Sequence, residues 1–284
     1  MTVFGFRFSV TDKNHAENGK RKAENGKLSV PSLSVTIIAM NQEANIGDCL
    51  QSVSFADEIV VVVDSSSADR TVELAREYTD RVITAPWQGF AGTKNFALDQ
   101  ARMDWVFSLD TDERVPPALR QEILAVVRAD GPRDGYRVPR KNYLGGRWIR
   151  RLGWYPDYTL RLFRRGRGRF REREVHEEVE VAGPRGTLRT PLDHYSYNDL
   201  REYAARQERY ARLAAREMAG RGRRPLPGER CWRPFFTFWK LYFLKAGFLE
   251  GSLGMSLALQ GSRYNFLKYH YLLELTRGKD LDAH

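Results

Sequence analysis

The sequence contains a hydrophobic run that ends in two aspartates, Trp105-Val106-Phe107-Ser108-Leu109-Asp110-Thr111-Asp112. The run predicts a buried strand, and residues two apart on a strand point to the same side. Asp110 and Asp112 are therefore expected to project together where the strand leaves the core. Paired carboxylates at such a position suit a hard divalent cation, which prefers oxygen ligands and bridges readily to phosphate oxygens.

Alternating strand and helix patterns surround this run. We expect strands at residues 33–39, 58–63, 81–84, 105–109 and 135–139, and helices at 44–53, 70–78, 92–101 and 117–128. Repeated units of this kind predict an α/β fold with a mainly parallel sheet and helices on both faces. The sequence has no P-loop lysine motif and no GxGxxG, which weakens NTPase and dehydrogenase interpretations.

Polar residues follow three of the predicted strands. Asn41-Gln42-Glu43 comes after the first strand, residues 64–69 after the second, and Asp110 and Asp112 after the fourth. Ligands of parallel sheets bind at the carboxyl ends of the strands. Three acidic clusters are thus expected to converge on one edge.

The domain organisation is predicted from changes in composition. Residues 1–30 are expected to be a disordered leader, because the polar repeat Ala-Glu-Asn-Gly-Lys occurs at 16–20 and again at 23–27. Residues 31–195 form the predicted catalytic domain, and 196–284 a helical extension. The extension begins with an amphipathic helix at 199–219, for which Ser196 and Asp199 are a candidate capping box.

The net charge of +10 is concentrated in one segment. Residues 140–173 contain twelve Lys or Arg and two acids, and the rest of the chain is balanced. Such a patch attracts polyanions, namely nucleic acid, anionic lipid head groups or a phosphorylated substrate. No recognisable nucleic-acid module accompanies it, so no nucleic-acid partner is expected.

The C-terminal section, residues 232–275, is rich in aromatic residues with lysines between them. The part at 234–245 suits a helix that lies in the membrane interface, with lysines reaching toward the head groups. The alternative is that these aromatics pack onto the catalytic domain as ordinary core, and both can hold on different faces. The sequence has no signal-peptide pattern and no run of 18 apolar residues, so a spanning helix is not expected.

Taken together, these motifs resemble those of the family 2 glycosyltransferases, which have a GT-A fold. Other stretches are similar to the lipopolysaccharide-core glucosyltransferase branch of that family, and the resemblance extends from about residue 33 to the C-terminus. The family motifs are at residues 37–43, 63–69, 92–95 and 109–112, and the branch motifs are at 161–165, 175–179, 192–197 and 243–248.

The resemblance implies an inverting transfer of glucose from UDP-glucose to a lipopolysaccharide inner-core acceptor. Mg²⁺ or Mn²⁺ held by Asp112, with Asp110 nearby, would neutralise the charge that builds on the departing diphosphate. The alternative is that the two aspartates only begin a turn or cap the next helix. Glu43 could instead be a charged residue of a helix's first turn. Asp69 could support its loop or cap the helix behind it, and Lys94 could be a surface lysine. The residues expected to bind the donor are Asn41, Glu43, Asp64, Asp69, Lys94 and Asp110.

An inverting transfer also needs a general base for the acceptor hydroxyl. Glu177 is the preferred candidate, and Asp157 is the second. His176 beside Glu177 could be a metal ligand, a group that orients the base, or a partly buried histidine. Arg161, Arg164 and His176 are expected on the acceptor side, because arginine binds phosphate with two parallel hydrogen bonds.

The predicted location is cytoplasmic and peripheral on the anionic inner membrane. Two other classes of function share some of these features. A nucleotidyltransferase that makes activated sugars would usually carry a Gly-rich, basic loop after its first strand, and Asn41-Gln42-Glu43 is not such a loop. A non-catalytic basic protein that binds membrane surfaces would show no metal-dependent stabilisation by UDP.

Overall fold

The computed structural model describes residues 30–171 and 178–278. The predicted leader, apart from Val30, lies outside these residues, as do His176 and Glu177. The strands are β1 (Leu33–Ala39), β2 (Glu58–Asp64), β3 (Val82–Ala85), β4 (Trp105–Asp110), β5 (Glu113–Arg114), β6 (Gly135–Leu144), β7 (Arg147–Trp148), β8 (Asp157–Arg164), β9 (Gly168–Arg171), β10 (Glu178–Val181), β11 (Arg185–Thr187) and β12 (Leu192–Tyr197).

The helices follow the predicted order and extend it. A π-helical segment, Lys240–Leu244, continues α6, and a 3₁₀ turn, Gly247–Glu250, precedes α7. The α-helices are α1 (Ile46–Ser52), α2 (Thr71–Arg76), α3 (Gly89–Gln100), α4 (Pro117–Ala129), α5 (Leu200–Gly220), α6 (Glu229–Trp239) and α7 (Gly251–Thr276).

The main sheet has the order β3-β2-β1-β4-β8-β6-β12-β5, with β7 and β11 paired to β6. The half made of β3, β2, β1 and β4 is parallel, as the alternating pattern predicts. The other half is mixed, because β8 runs antiparallel between β4 and β6. The expected helices on both faces are present around the parallel half, and the mixed half is a feature that periodicity did not reveal.

The parallel half is buried on both faces, which explains its continuous apolar sequence. On one face Leu33, Val35 and Ile37 of β1 pack in a cluster with residues of α1 and α4. On the other face Ile38 and Val62 pack with Ala97 of α3. The parallel half of the sheet therefore lies between two layers of helices, and the carboxyl ends of its strands form one exposed edge.

The C-terminal helices pack onto this sheet, and the described residues from Pro31 onward form one compact unit. Leu257 of α7 joins Leu144, Ile149 and Leu152 in a buried cluster. The capping-box prediction is partly wrong. Asp199 caps α5 by accepting hydrogen bonds from the backbone of residues 201 and 202, whereas Ser196 faces the site described below. None of the helices in residues 30–171 and 178–278 combines the length and the apolar character needed to cross a bilayer.

Candidate active site

Asp64 and Asp110 end the two strands that flank β1. Ile38 of β1 pairs with Val62 of β2 on one side and with Asp110 of β4 on the other. Asp64 comes two residues after Val62, and Asp112 lies in the turn that follows β4. The convergence of acidic clusters that the sequence predicts is therefore present at the carboxyl edge.

The loops after β1 and β2 are joined by hydrogen bonds. Asp69 accepts from the backbone N–H of Glu43 at 2.9 Å and from that of Thr71 at 3.1 Å. Asn41 accepts from the N–H of Ala68 at 2.9 Å. Asp69 and Asn41 thus hold the two loops together, which is the supporting role considered for Asp69.

Two other predicted donor residues remain at this edge. Asp64 is 4% exposed and accepts a hydrogen bond from the N–H of Ser66 at 2.8 Å. Glu43 is exposed and accepts from the N–H of Arg70 at 3.1 Å. Both carboxylates therefore lie beside the same pair of loops.

Asp110 is held by two cations. Lys94 of α3 lies 2.8 Å from Oδ1 and Arg161 of β8 lies 2.5 Å from Oδ2. Burial alone would raise the pKa of Asp110, but Arg161 and Lys94 outweigh it and hold that pKa well below its usual value. Both basic residues are buried. Lys94 is thus not a surface lysine, and Arg161 faces Asp110 rather than solvent.

Glu113 extends this ion-pair chain behind the aspartates. Its buried carboxylate accepts from the N–H of Asp110 at 3.0 Å and lies 2.5 Å from Arg161 and 3.3 Å from Arg140. Arg140 lies 2.6 Å from Asp157. The chain runs from Lys94 through alternating charges to Asp157, so each buried charge has an opposite neighbour.

Asp157 therefore fits the base role poorly. Burial acts to raise its pKa, but the opposing attraction and hydrogen bonds of Arg140 win, and the pKa is lowered. A general base must take up a proton, and a carboxylate with a lowered pKa does so less readily.

His194 of β12 faces Asp112, with its Nε2 atom 3.4 Å from Oδ2. Its Nδ1 atom lies 2.6 Å from Oδ1 of Asn142. The Asn142 amide group donates to the carbonyl of Trp154 at 2.9 Å and to Asp157 at 3.3 Å. The NH₂ group of Asn142 faces these two acceptors, so its oxygen faces His194. An amide oxygen can only accept a hydrogen bond, which places a proton on Nδ1 of the imidazole.

In a neutral His194 with its proton on Nδ1, the Nε2 lone pair would face the Asp112 carboxylate. An imidazole nitrogen with a free lone pair and a carboxylate form a suitable partial ligand set for Mn²⁺ or Mg²⁺. In the described part of the chain, no group of three or more His, Cys, Asp or Glu side chains is arranged for a metal. A cation here would need further oxygens, which donor phosphates or water can supply.

A cavity of about 180 Å³ adjoins Asp110. Its lining includes Lys94, Thr159, Arg161 and Phe170. The Lys94 ammonium lies 5.1 Å from the centre of the Phe170 ring. The cavity thus offers polar groups and an aromatic face beside the first aspartate.

Arg164 is not part of this site, which corrects the acceptor-side prediction. It pairs in register with Trp105, the first residue of β4, whereas Asp110 is the last. Its guanidinium lies 2.7 Å from Asp130 and is stacked over the Trp105 ring. Arg164 therefore belongs to the opposite edge of the sheet. The predicted residues His176 and Glu177 lie outside the described residues.

The sequence reasoning did not single out Glu113, Arg140, Asn142 or His194. Glu113 directly follows the two aspartates, and His194 lies in a stretch that matched the family branch, so a signal existed for both. Arg140 and Asn142 alternate on β6 and become recognisable only once β6 is placed beside β8 and β12.

The comparisons agree with this geometry. The profile for "Glycosyl transferase family 2" matches residues 34–195. The chain is 36% identical over 247 residues to the lipopolysaccharide core biosynthesis glycosyltransferase LpsC of Rhizobium meliloti (strain 1021), covering 83% of this chain and 89% of that protein. An uncharacterized glycosyltransferase of Rickettsia bellii (strain RML369-C) is 26% identical, over 90% of this chain and 93% of that one.

Among solved structures, the mannosyltransferase PcManGT from Pyrobaculum calidifontis, in complex with GDP-Man and Mn²⁺, is 18% identical with a TM-score of 0.47, covering 90% of this chain and 89% of that chain. The sheet and its acidic edge, together with the matched profile, define a glycosyltransferase of GT-A fold. The chain belongs to glycosyl transferase family 2.

Proposed function

We propose that this glycosyltransferase moves glucose from UDP-glucose, with inversion, onto a sugar of the lipopolysaccharide inner core. The main support is the 36% identity to LpsC over most of both chains. Membership of a glycosyltransferase family also argues against the nucleotidyltransferase alternative.

The donor diphosphate would lie at the carboxyl edge, between Asp64 and Asp112. Asp64 would accept hydrogen bonds from the nucleoside, with Asn41, Glu43 and Asp69 shaping the loops around it. Asp112 and His194 would hold Mg²⁺ or Mn²⁺, which when bound neutralises negative charge on the leaving diphosphate. Asp110 is already paired with Lys94 and Arg161. It would therefore orient these two side chains and the sugar rather than serve as a main metal ligand.

Glu177 remains the proposed base, and His176 the proposed acceptor-side neighbour, on the family resemblance. The proposed base would accept the proton of the acceptor hydroxyl as the oxygen attacks the anomeric carbon. Because the acceptor is carried by a lipid, the enzyme is also proposed to work at the anionic cytoplasmic surface of the inner membrane.

The test has two steps. Thermal unfolding is measured with UDP and Mn²⁺, and again with UDP and a chelator; metal-dependent stabilisation is expected. The protein is then incubated with a panel of labelled sugar nucleotides and truncated lipopolysaccharide. Transfer from UDP-glucose supports the proposal. Transfer from a different donor alone would contradict the proposed sugar but support the proposed class of reaction.

A further inference from the structure

α6 and the π-helical segment expose a row of large apolar side chains. Their spacing of three or four residues places them on one helix face, and the 3₁₀ turn extends the row. We call this the aromatic face, and each member is at least 40% exposed: Trp232, Phe235, Phe236, Trp239, Phe243, Leu244, Phe248 and Leu249. Clustered exposed apolar residues of this kind mark an interaction surface.

The exposed charged residues of the segment that carries the aromatic face, residues 229–251, all have one sign. The acids of residues 229–251 are Glu229 and Glu250, and both are buried. Glu229 lies 2.9 Å from Arg223 and 3.1 Å from Arg233, and Glu250 lies 3.1 Å from Arg147. The exposed charged residues that remain in this segment are Arg230, Lys240 and Lys245.

This charge pattern selects among occupants of the face. A second copy of the chain would bring the same positive residues opposite one another, which is unfavourable. An anionic bilayer offers the opposite charge over an extended plane and an apolar interior for the aromatic rings. Lysines at the margin of the face can extend toward head groups while their stems stay on apolar surface.

Hydrogen bonds connect the segment that carries the aromatic face to the edge of the sheet where the candidate active site lies, which we call the site edge. β4 and β6 are both antiparallel to β8, so the carboxyl end of β6 lies at the same edge as Asp110. The link that follows β6 is bonded to the helical layer. Leu152 donates its N–H to the carbonyl of Lys245 at 3.0 Å, and Arg150 donates its N–H to Glu250 at 3.0 Å.

From these observations we infer that the aromatic face inserts into the head-group region of an anionic bilayer and fixes the site edge close to it. The inference deepens the proposed function, on which it rests for the lipid-anchored acceptor. An acceptor sugar just above the membrane would then meet the site without leaving its lipid.

The experiment is flotation of the full-length protein with vesicles of phosphatidylcholine alone or enriched in phosphatidylglycerol. The triple variant Phe235→Ser, Trp239→Ser, Phe243→Ser removes apolar surface from exposed positions. The double variant Lys240→Glu, Lys245→Glu reverses the charge. The control variant Leu213→Ser, Leu226→Ser changes exposed leucines outside the face. Unfolding temperature and stabilisation by UDP with Mn²⁺ are measured for each variant.

The parent and the control should float with anionic vesicles. For the triple variant, the partition coefficient between vesicles and solution should fall at least about tenfold with both vesicle types. For the charge variant, it should fall about tenfold with the anionic vesicles alone. Flotation of the triple variant at the parent level, or a parent that does not float, overturns the inference. A change from dimer to monomer in the triple variant would also overturn it in favour of self-association. If UDP with Mn²⁺ does not stabilise the parent protein, that result would instead contradict the proposed function.

Discussion

The Nε2 atom of His194 lies 3.4 Å from the carboxylate of Asp112, and its Nδ1 atom lies 2.6 Å from Oδ1 of Asn142. A neutral His194 with its proton on Nδ1 would present a lone pair to a cation shared with Asp112. We expect His194→Ala to lose most of the Mn²⁺-dependent part of UDP stabilisation and to lower kcat by roughly 100-fold or more. The measurements are thermal unfolding with and without chelator, and the transfer rate. Asp193→Asn, on the adjacent residue, is the control; if it loses as much as His194→Ala, the effect is not specific to this pair.

Asn142 should set the orientation of the imidazole. Asn142→Ala removes the acceptor for Nδ1–H, and we expect Mn²⁺ affinity in the presence of UDP to fall by about 10- to 100-fold. Electron paramagnetic resonance of free Mn²⁺ measures the affinity, and ¹⁵N shifts of His194 report the tautomer without metal. Ser196→Ala, which removes a hydroxyl 3.0 Å from Nδ1, is the matched control. An unchanged tautomer in Asn142→Ala would contradict this role.

Arg161 should matter for both stability and pH dependence. Arg161→Gln leaves Asp110 and buried Glu113 with fewer opposite charges, so the free energy of unfolding should fall by about 3 kcal/mol. The lowered pKa of Asp110 stabilises the fold above the ordinary carboxyl range, and this contribution is lost as the pH falls below about 4. In the variant the pKa of Asp110 rises, so acid unfolding should begin at higher pH. Denaturant titrations across pH measure both effects, and an unchanged acid midpoint would count against them.

Arg164 offers a direct contrast. Arg164→Gln breaks the pair with Asp130 and should cost about 1 kcal/mol or less, since the pair is partly exposed. Because this arginine lies at the far edge of the sheet, kcat and the acceptor KM should stay within about twofold of the parent. Steady-state kinetics provide the measurement. A large rise in acceptor KM would restore Arg164 to the acceptor side.

The two candidate bases can be separated by substitution. Glu177→Gln should lower transfer by about 10²-fold or more while leaving stabilisation by UDP with Mn²⁺ intact. Asp157→Asn should lower it much less, because Asp157 is committed to Arg140. Comparison of kcat for the two variants over a pH range decides the matter. Near-parent turnover by the Glu177 variant would remove it as the base.

The parallel half of the fold was readable from sequence because its pattern is local. Continuous β-branched runs such as 58–63 and the intervening helices predict the alternation of β1 to β4 with helices, and a parallel sheet brings Asp64, Asp110 and Asp112 to one edge. The antiparallel insertion of β8 depends on pairing between residues far apart in the chain, which periodicity does not contain.

The same limit explains the site residues that were misplaced or overlooked. Arg161 and Arg164 are three residues apart on β8, so they point to opposite faces and lie about 10 Å apart. One therefore reaches Asp110 while the other stacks on Trp105. Asn142 and His194 meet only because β6 and β12 are neighbours in the sheet.

Asp64 and Asp110 end strands that are separated by β1 alone. Two strand spacings separate β2 from β4, a lateral distance of about 10 Å. Backbone hydrogen bonding within the sheet fixes this distance. Side-chain substitutions at either position should therefore change the chemistry of the edge while its dimensions stay the same.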